Sequence, residues 1–139
     1  MVRVCAAIVC IVLAAVAARA DADDRRARQN YLLHCAGCHG EAGAGLEGHV
    51  PAMRDVFARL SATDEGRSYV LRVPGVAQAS LSPDLVAEIL NWSLREFSTA
   101  AAASTVAPFT AAEVEAGKTQ PLLEVAATRE RLLRTIGLR

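Results

Sequence analysis

The sequence predicts an all-α fold. Apolar residues recur at three- and four-residue spacing in successive stretches, as on helices with one buried face. Two strong helix starts are written into it: Ser82-Pro83, a capping residue before a proline, and Thr110-Ala111-Ala112-Glu113, a capping box. Prolines and glycines fall between the periodic stretches, where chain breaks are needed.

The first expected helix is Arg25 to Cys35, with Ala27, Tyr31, Leu32 and Cys35 along one side. Asp21, Asp23 and Asp24 put negative charge at its positive end, as a solvated helix start. Gly40, Gly43, Gly45 and Gly48 then mark a loop. It is no phosphate loop, because no strand precedes it and no Gly-Lys-Ser/Thr follows. Pro51 opens a short helix to about Leu60, with Met53, Val56, Phe57 and Leu60 on its apolar face. Tyr69, Val70 and Val73 suit a further short helix within Thr63 to Val73, and a strand over Tyr69 to Val73 stays open. Pro74-Gly75 ends it, and Pro74 to Leu81 reads as an irregular loop. From Ser82 to Phe97 a longer helix carries Leu85, Val86, Ile89, Leu90, Ser93 and Phe97 along one side, flanked by Trp92. The alanine-rich stretch Thr99 to Ala107 reads as a linker or frayed helix end, broken by Pro108. A short helix follows the capping box. Pro121 starts a last helix, with Leu122, Leu123, Val125, Leu132, Leu133 and Ile136 apolar and Glu124, Arg129, Glu130, Arg131 and Arg134 on its wet face. Such a stripe either packs on the preceding helices or docks a partner.

Arg3, an apolar run from Val4 to Val16 and Ala18-Arg19-Ala20 describe a secretory signal peptide cleaved after Ala20. The run is too short for a retained membrane span, so no transmembrane anchor is expected in the mature chain. Cys10 lies inside the apolar run rather than after it, so a lipid-anchored cysteine is discounted; Cys5 and Cys10 leave with the signal. The expected organisation is a signal peptide at 1–20, one domain at 21–100 and a helical C-terminal extension at 101–139. Losing Arg3 and Arg19 leaves 13 basic against 15 acidic residues, a net of −2 over residues 21–139. There is no basic patch interleaved with aromatics, which argues against nucleic acid.

Cys35-Ala36-Gly37-Cys38-His39 carries the chemistry. Two cysteines two residues apart with an adjoining histidine form the attachment signature of c-type haem. The two thiols would form thioethers with the porphyrin vinyl groups, and His39 would supply the proximal imidazole. A thioredoxin-like dithiol normally follows a strand, and none is expected before Cys35. A zinc site usually takes four ligands from two clusters, and no further cysteine remains after residue 20. Haem attachment in bacteria takes place outside the cytoplasmic membrane, which matches an exported, periplasmic chain. Few aromatics fill the core, and a buried porphyrin would fill it out.

Residues 28 to 97 resemble a class I monohaem cytochrome c. The match consists of a helix running into Cys-x-x-Cys-His-Gly at Cys35 to Gly40, a glycine-containing loop, a Pro-x-Leu-like element at Pro51-Ala52-Met53, and a final helix with Trp92. The resemblance implies a small helical fold wrapped around one covalent haem c, in which the last helix crosses the first. It also implies that the Pro51 carbonyl accepts a hydrogen bond from the second ring nitrogen of His39, a bond that fixes the ring and raises its basicity. One departure stands out. The family supplies a distal methionine just before a proline ahead of the last helix, and this chain reads Arg72-Val73-Pro74-Gly75 there. Met53, the only methionine after residue 20, is either a thioether ligand or a core residue. His49 is either a loop histidine near a propionate or a ligand, and His34 reads as surface. The distal position is thus Met53, His49, water or nothing.

Two functions follow. In the first, the chain is a periplasmic electron carrier, not an enzyme, moving single electrons from a dehydrogenase-type donor, such as a quinoprotein, to a respiratory acceptor. In the second, an open distal site binds NO, CO or peroxide in a sensor or scavenger. Peroxide chemistry would need a distal acid–base pair, and the region offers only Arg72, Gln78 and Ser80.

Overall fold

The computed structural model describes residues 19–138; the expected signal peptide, but for residues 19 and 20, lies outside them. Helix formation dominates, and the one bridge among the described residues outside helices pairs Leu46 with Val50. The first helix, α1, is described over 19–34, and Asp21, Asp23 and Asp24 lie within it. Two of these charges are used sideways. Asp23 pairs with Arg26 at 2.7 Å, and Asp24 pairs with Arg95 of the long helix described below. A single turn, α2 (Ala36–His39), continues α1 after a break at Cys35.

The expected helix opening at Pro51 starts later, as α3 (Phe57–Ser61). Residues 51–53 are not helical, and the Met53 N–H donates to the Gly43 carbonyl at 2.8 Å. Asp55 then takes a positive φ of 61°, which no helix permits, and donates its N–H to the Phe97 carbonyl. Thr63 caps α4 (Asp64–Arg72), its hydroxyl accepting from the Gly66 N–H at 3.1 Å; Tyr69 to Arg72 are thus helix rather than strand, and Val73 ends the helix with extended backbone. Part of the expected loop after it forms a helical turn, α5 (Pro74–Ala77), begun by a proline at the first position.

α6 (Pro83–Glu96) is the spine of the molecule. Its apolar residues were expected on one side, but they are buried on two. Ile89 and Trp92, followed by Phe97 at its end, face α1, where Ala27 and Tyr31 complete a small aromatic cluster. The Tyr31, Trp92 and Phe97 ring centroids lie 5.1–5.6 Å apart, a spacing at which tilted rings attract. Val86, Ala87, Leu90 and Leu94 face the larger cluster built with α3 and α4. Each of these valine and leucine side chains contributes about 1.5–3 kcal/mol on burial.

The alanine-rich stretch holds one capped turn, α7 (Ala100–Ala103), and α8 (Ala111–Lys118) starts at the expected capping box on Thr110 and Glu113. The last helix, α9 (Val125–Thr135), begins four residues after Pro121, and in the lead-in the Leu122 N–H donates to the Arg72 carbonyl at 2.8 Å. Val106, Phe109, Val114 and Leu132 belong to the larger cluster and Leu122, Val125, Leu133 and Ile136 pack against it, so the apolar stripe of the extension is packed except at Leu123, which is exposed. Asn91 fixes the connection: its amide donates to the Phe109 carbonyl at 2.9 Å and accepts from the Phe109 N–H at 2.7 Å. Arg67 stands over the Phe109 ring and forks onto the Glu113 carboxylate at 2.7 and 2.9 Å. No helix among the described residues is long and apolar enough to cross a membrane.

Candidate functional site

Cys35, Cys38 and His39 meet at the corner where α1 breaks and α2 begins. The backbone nearly runs through: the Cys35 N–H donates to Tyr31 at 2.8 Å and the His39 N–H to Cys35 at 3.0 Å. One helical turn therefore presents both thiols and the imidazole together. Gly40, with φ +73°, ends the turn. Tyr31 locks it: the phenol donates to the Gly40 carbonyl at 2.6 Å. Burial, and secondarily the charge on Cys35, push that phenol up to about 12, so it stays a donor.

The His39 ring is held from one side. Its Nδ1 lies 3.2 Å from the Pro51 carbonyl oxygen, the partner that the family resemblance implied. A carbonyl can only accept, so the proton sits on Nδ1 and the lone pair on Nε2 faces away. Burial lowers the pKa of His39, against a smaller opposing effect of the Pro51 bond, and favours the neutral form that a metal needs. Pro51 is placed by a tight wrap of the loop. The Gly45 N–H donates to the His39 carbonyl at 2.8 Å, and Gly45 runs so close to Val50 and Pro51 that a Cβ there would stand 2.3 Å from the Val50 oxygen. Its φ of +71° and this contact both require glycine.

The thiols differ. Cys35 is half-buried and Cys38 is exposed. Burial first, then the Cys38 charge, raise the pKa of Cys35. A reactive dithiol carries a depressed nucleophile pKa, so this environment suits thioredoxin chemistry poorly. Among the described residues no group of three or more His, Cys, Asp or Glu is arranged to hold a metal, so a zinc site made by protein alone has no support. The donor set fits a prosthetic group that needs two tethers and one axial imidazole.

An apolar shelf adjoins the donors. Leu32, Cys35, Ala36, Met53 and Leu81 lie half-buried on the edge of the aromatic cluster. Met53 and Leu81 also touch the larger cluster, so the shelf runs on toward Val73, Val76 and Ala79.

The other candidates are not gathered here as ligands. His34 and His49 are exposed. Met53 is half-buried and packs against both core clusters. Sequence reasoning places Tyr31 only on an apolar helix face and Leu81 only at a loop end, and so misses the Tyr31 bond to Gly40 and the packing of Leu81 with Cys35 against the aromatic cluster. It also missed Lys118, whose only signal is that it is the sole lysine of the chain. Comparison with protein-family models, with curated proteins and with solved structures finds no match for this chain.

Proposed function

We propose that residues 21–139 form an exported, periplasmic monohaem c-type cytochrome that carries single electrons between a dehydrogenase-type donor and a respiratory acceptor. The observation that carries this reading is the His39 Nδ1–Pro51 carbonyl bond, made within the same turn that presents Cys35 and Cys38. Bound haem supplies a one-electron couple. The chain's own residues do the rest. Cys35 and Cys38 tether the group so that a small domain keeps it at any dilution. His39 offers Nε2 as axial donor, and Pro51 orients and enriches it. Leu32, Ala36, Met53 and Leu81 shield one face from water. Cys38, being exposed, leaves the tethered edge within reach of partner proteins, and such encounters are small and transient.

A ligand-binding protein is the second reading, favoured by the packing of Met53, the only methionine after residue 20, against both core clusters. Peroxide turnover is the weakest form of it. Of the three polar residues near the distal slot, Arg72 spends its Nε–H on the Gln120 carbonyl at 2.7 Å, and Gln78 and Ser80 are exposed. Protein-film voltammetry of the haem-loaded protein tests the carrier: a reversible one-electron wave with fast exchange supports it. An irreversible wave, or one too slow to follow, counts against it.

A further inference from the structure

The end of α6 touches both pieces of backbone that carry the site. Phe97 is 2% exposed, and its ring packs on Tyr31 with centroids 5.2 Å apart. The same ring lies against the loop, where a Cβ on Gly43 would stand 2.9 Å from it. The Phe97 carbonyl accepts from the Asp55 N–H at 3.0 Å. Gly43 joins the turn to the loop. Its N–H donates to the Gly40 carbonyl at 3.2 Å, and its own carbonyl accepts from the Met53 N–H at 2.8 Å and the Arg54 N–H at 3.2 Å. The Tyr31 phenol closes the path with its 2.6 Å bond to that same Gly40 carbonyl. From α1 the path runs through the turn, the loop and residues 53–55 to the end of α6, and returns to α1 across two aromatic rings. His39 and Pro51 both lie on it: His39 directly precedes Gly40, and Pro51 sits between Gly45, which abuts it, and Met53.

Resting on the haem reading above, we infer that Tyr31, seated on Phe97, is a positioning residue for the axial imidazole: its hydroxyl sets how closely the His39 Nδ1 proton meets the Pro51 carbonyl. Packing alone does not call for that hydroxyl, because a phenylalanine would fill the same space in the aromatic cluster. The oxygen serves the turn, and its bond to Gly40 holds the residue next to His39 against the loop that carries Pro51. A carbonyl that accepts firmly from Nδ1–H makes the imidazole the better donor at Nε2. Loosening the turn weakens that donor, and the reduction potential of bound haem rises as electron density at its axial position falls.

The test compares Tyr31→Phe, which removes the hydroxyl and keeps the ring, with Trp92→Phe, which disturbs the same cluster but no bond to the turn. In the full-length haem-loaded protein, Tyr31→Phe should speed hydrogen exchange of the His39 Nδ1 proton and of the Gly43 amide about tenfold, the equivalent of one hydrogen bond, and raise the reduction potential. Trp92→Phe should leave both exchange rates and the potential at their wild-type values. Equal shifts in the two variants would make the cluster merely structural and overturn the inference. A Tyr31→Phe protein that matches the wild type overturns it too. Should Tyr31→Phe not accumulate, the wild type decides: Gly43 and Met53 amides that exchange as slowly as those of α6 support the path, and amides that exchange as fast as exposed chain overturn it. A chain that takes up no haem sinks the haem reading instead, and the Gly43 amide of the haem-free chain then still reads the Tyr31 bond.

Discussion

Replacing Gly45 by alanine tests how the backbone holds the site, with Gly48 as an internal control. Both glycines have positive φ, +71° and +75°. An alanine at either therefore pays the left-handed penalty of about 1–2 kcal/mol. At Gly48 nothing lies near the added methyl, whereas at Gly45 it would stand 2.3 Å from the Val50 oxygen and 2.8 Å from the Pro51 carbonyl. These neighbours are backbone and cannot rotate away, so overpacking adds about 1–3 kcal/mol. Gly45→Ala should thus cost about 2–5 kcal/mol. Urea unfolding followed by circular dichroism reads the difference: at a slope of about 1.5 kcal/mol/M, an extra 2 kcal/mol lowers the midpoint by about 1.3 M. Because Pro51 carries the acceptor for His39, Gly45→Ala should also lower the fraction of chains loaded with haem, and Gly48→Ala should not. Equal midpoints for the two variants would refute the close approach, and with it the account of how Pro51 is placed.

Leu132 is 2% exposed in the larger cluster, so Leu132→Ala should cost about 2–5 kcal/mol in the same assay. Leu123, 89% exposed, should tolerate alanine within about 0.5 kcal/mol. A Leu132 loss below about 1 kcal/mol would mean that α9 is not part of the core. The Arg67 hydrogen bonds, ahead of the Thr110 contacts, hold the Glu113 carboxyl at about 2, against 4.5 ordinarily. Its folded value lies below its unfolded one, so its contribution is present above about pH 4.5 and is lost as pH falls toward 2. Glu113→Gln should therefore be less stable than wild type at pH 7, by about 0.5–1.5 kcal/mol once solvent screening of this half-exposed pair is counted. That gap should close between pH 4.5 and 2 when unfolding is repeated across the range. A gap that does not change with pH would contradict the pairing.

What could be read from the sequence was local. The capping box at Thr110 and the proline start at Pro83 need only neighbours within a turn, and both formed as expected. Cys35, Cys38 and His39 share one turn for the same reason. The helix start at Pro51 failed where a distant group took the backbone first: the Asp55 N–H, which a helix from Pro51 would turn back to the Pro51 carbonyl, goes to Phe97. Before α9 the Leu122 N–H bonds to the distant Arg72 carbonyl, a long-range tie with no mark in the sequence. The second buried side of α6 was hidden because one periodic stripe was sought where two clusters meet. Lys118 was beyond reach altogether, since its acceptors are main-chain carbonyls 39 and 37 residues earlier, and a carbonyl leaves no mark on sequence.

The most direct measurement is the intact mass of the denatured protein after secretion into the periplasm of a bacterial host equipped for haem attachment. The account predicts a chain beginning at Asp21 that carries the added mass of one haem, retained through denaturation and lost in the Cys35→Ser/Cys38→Ser double variant. A folded, secreted protein with both thiols free and no haem would contradict it.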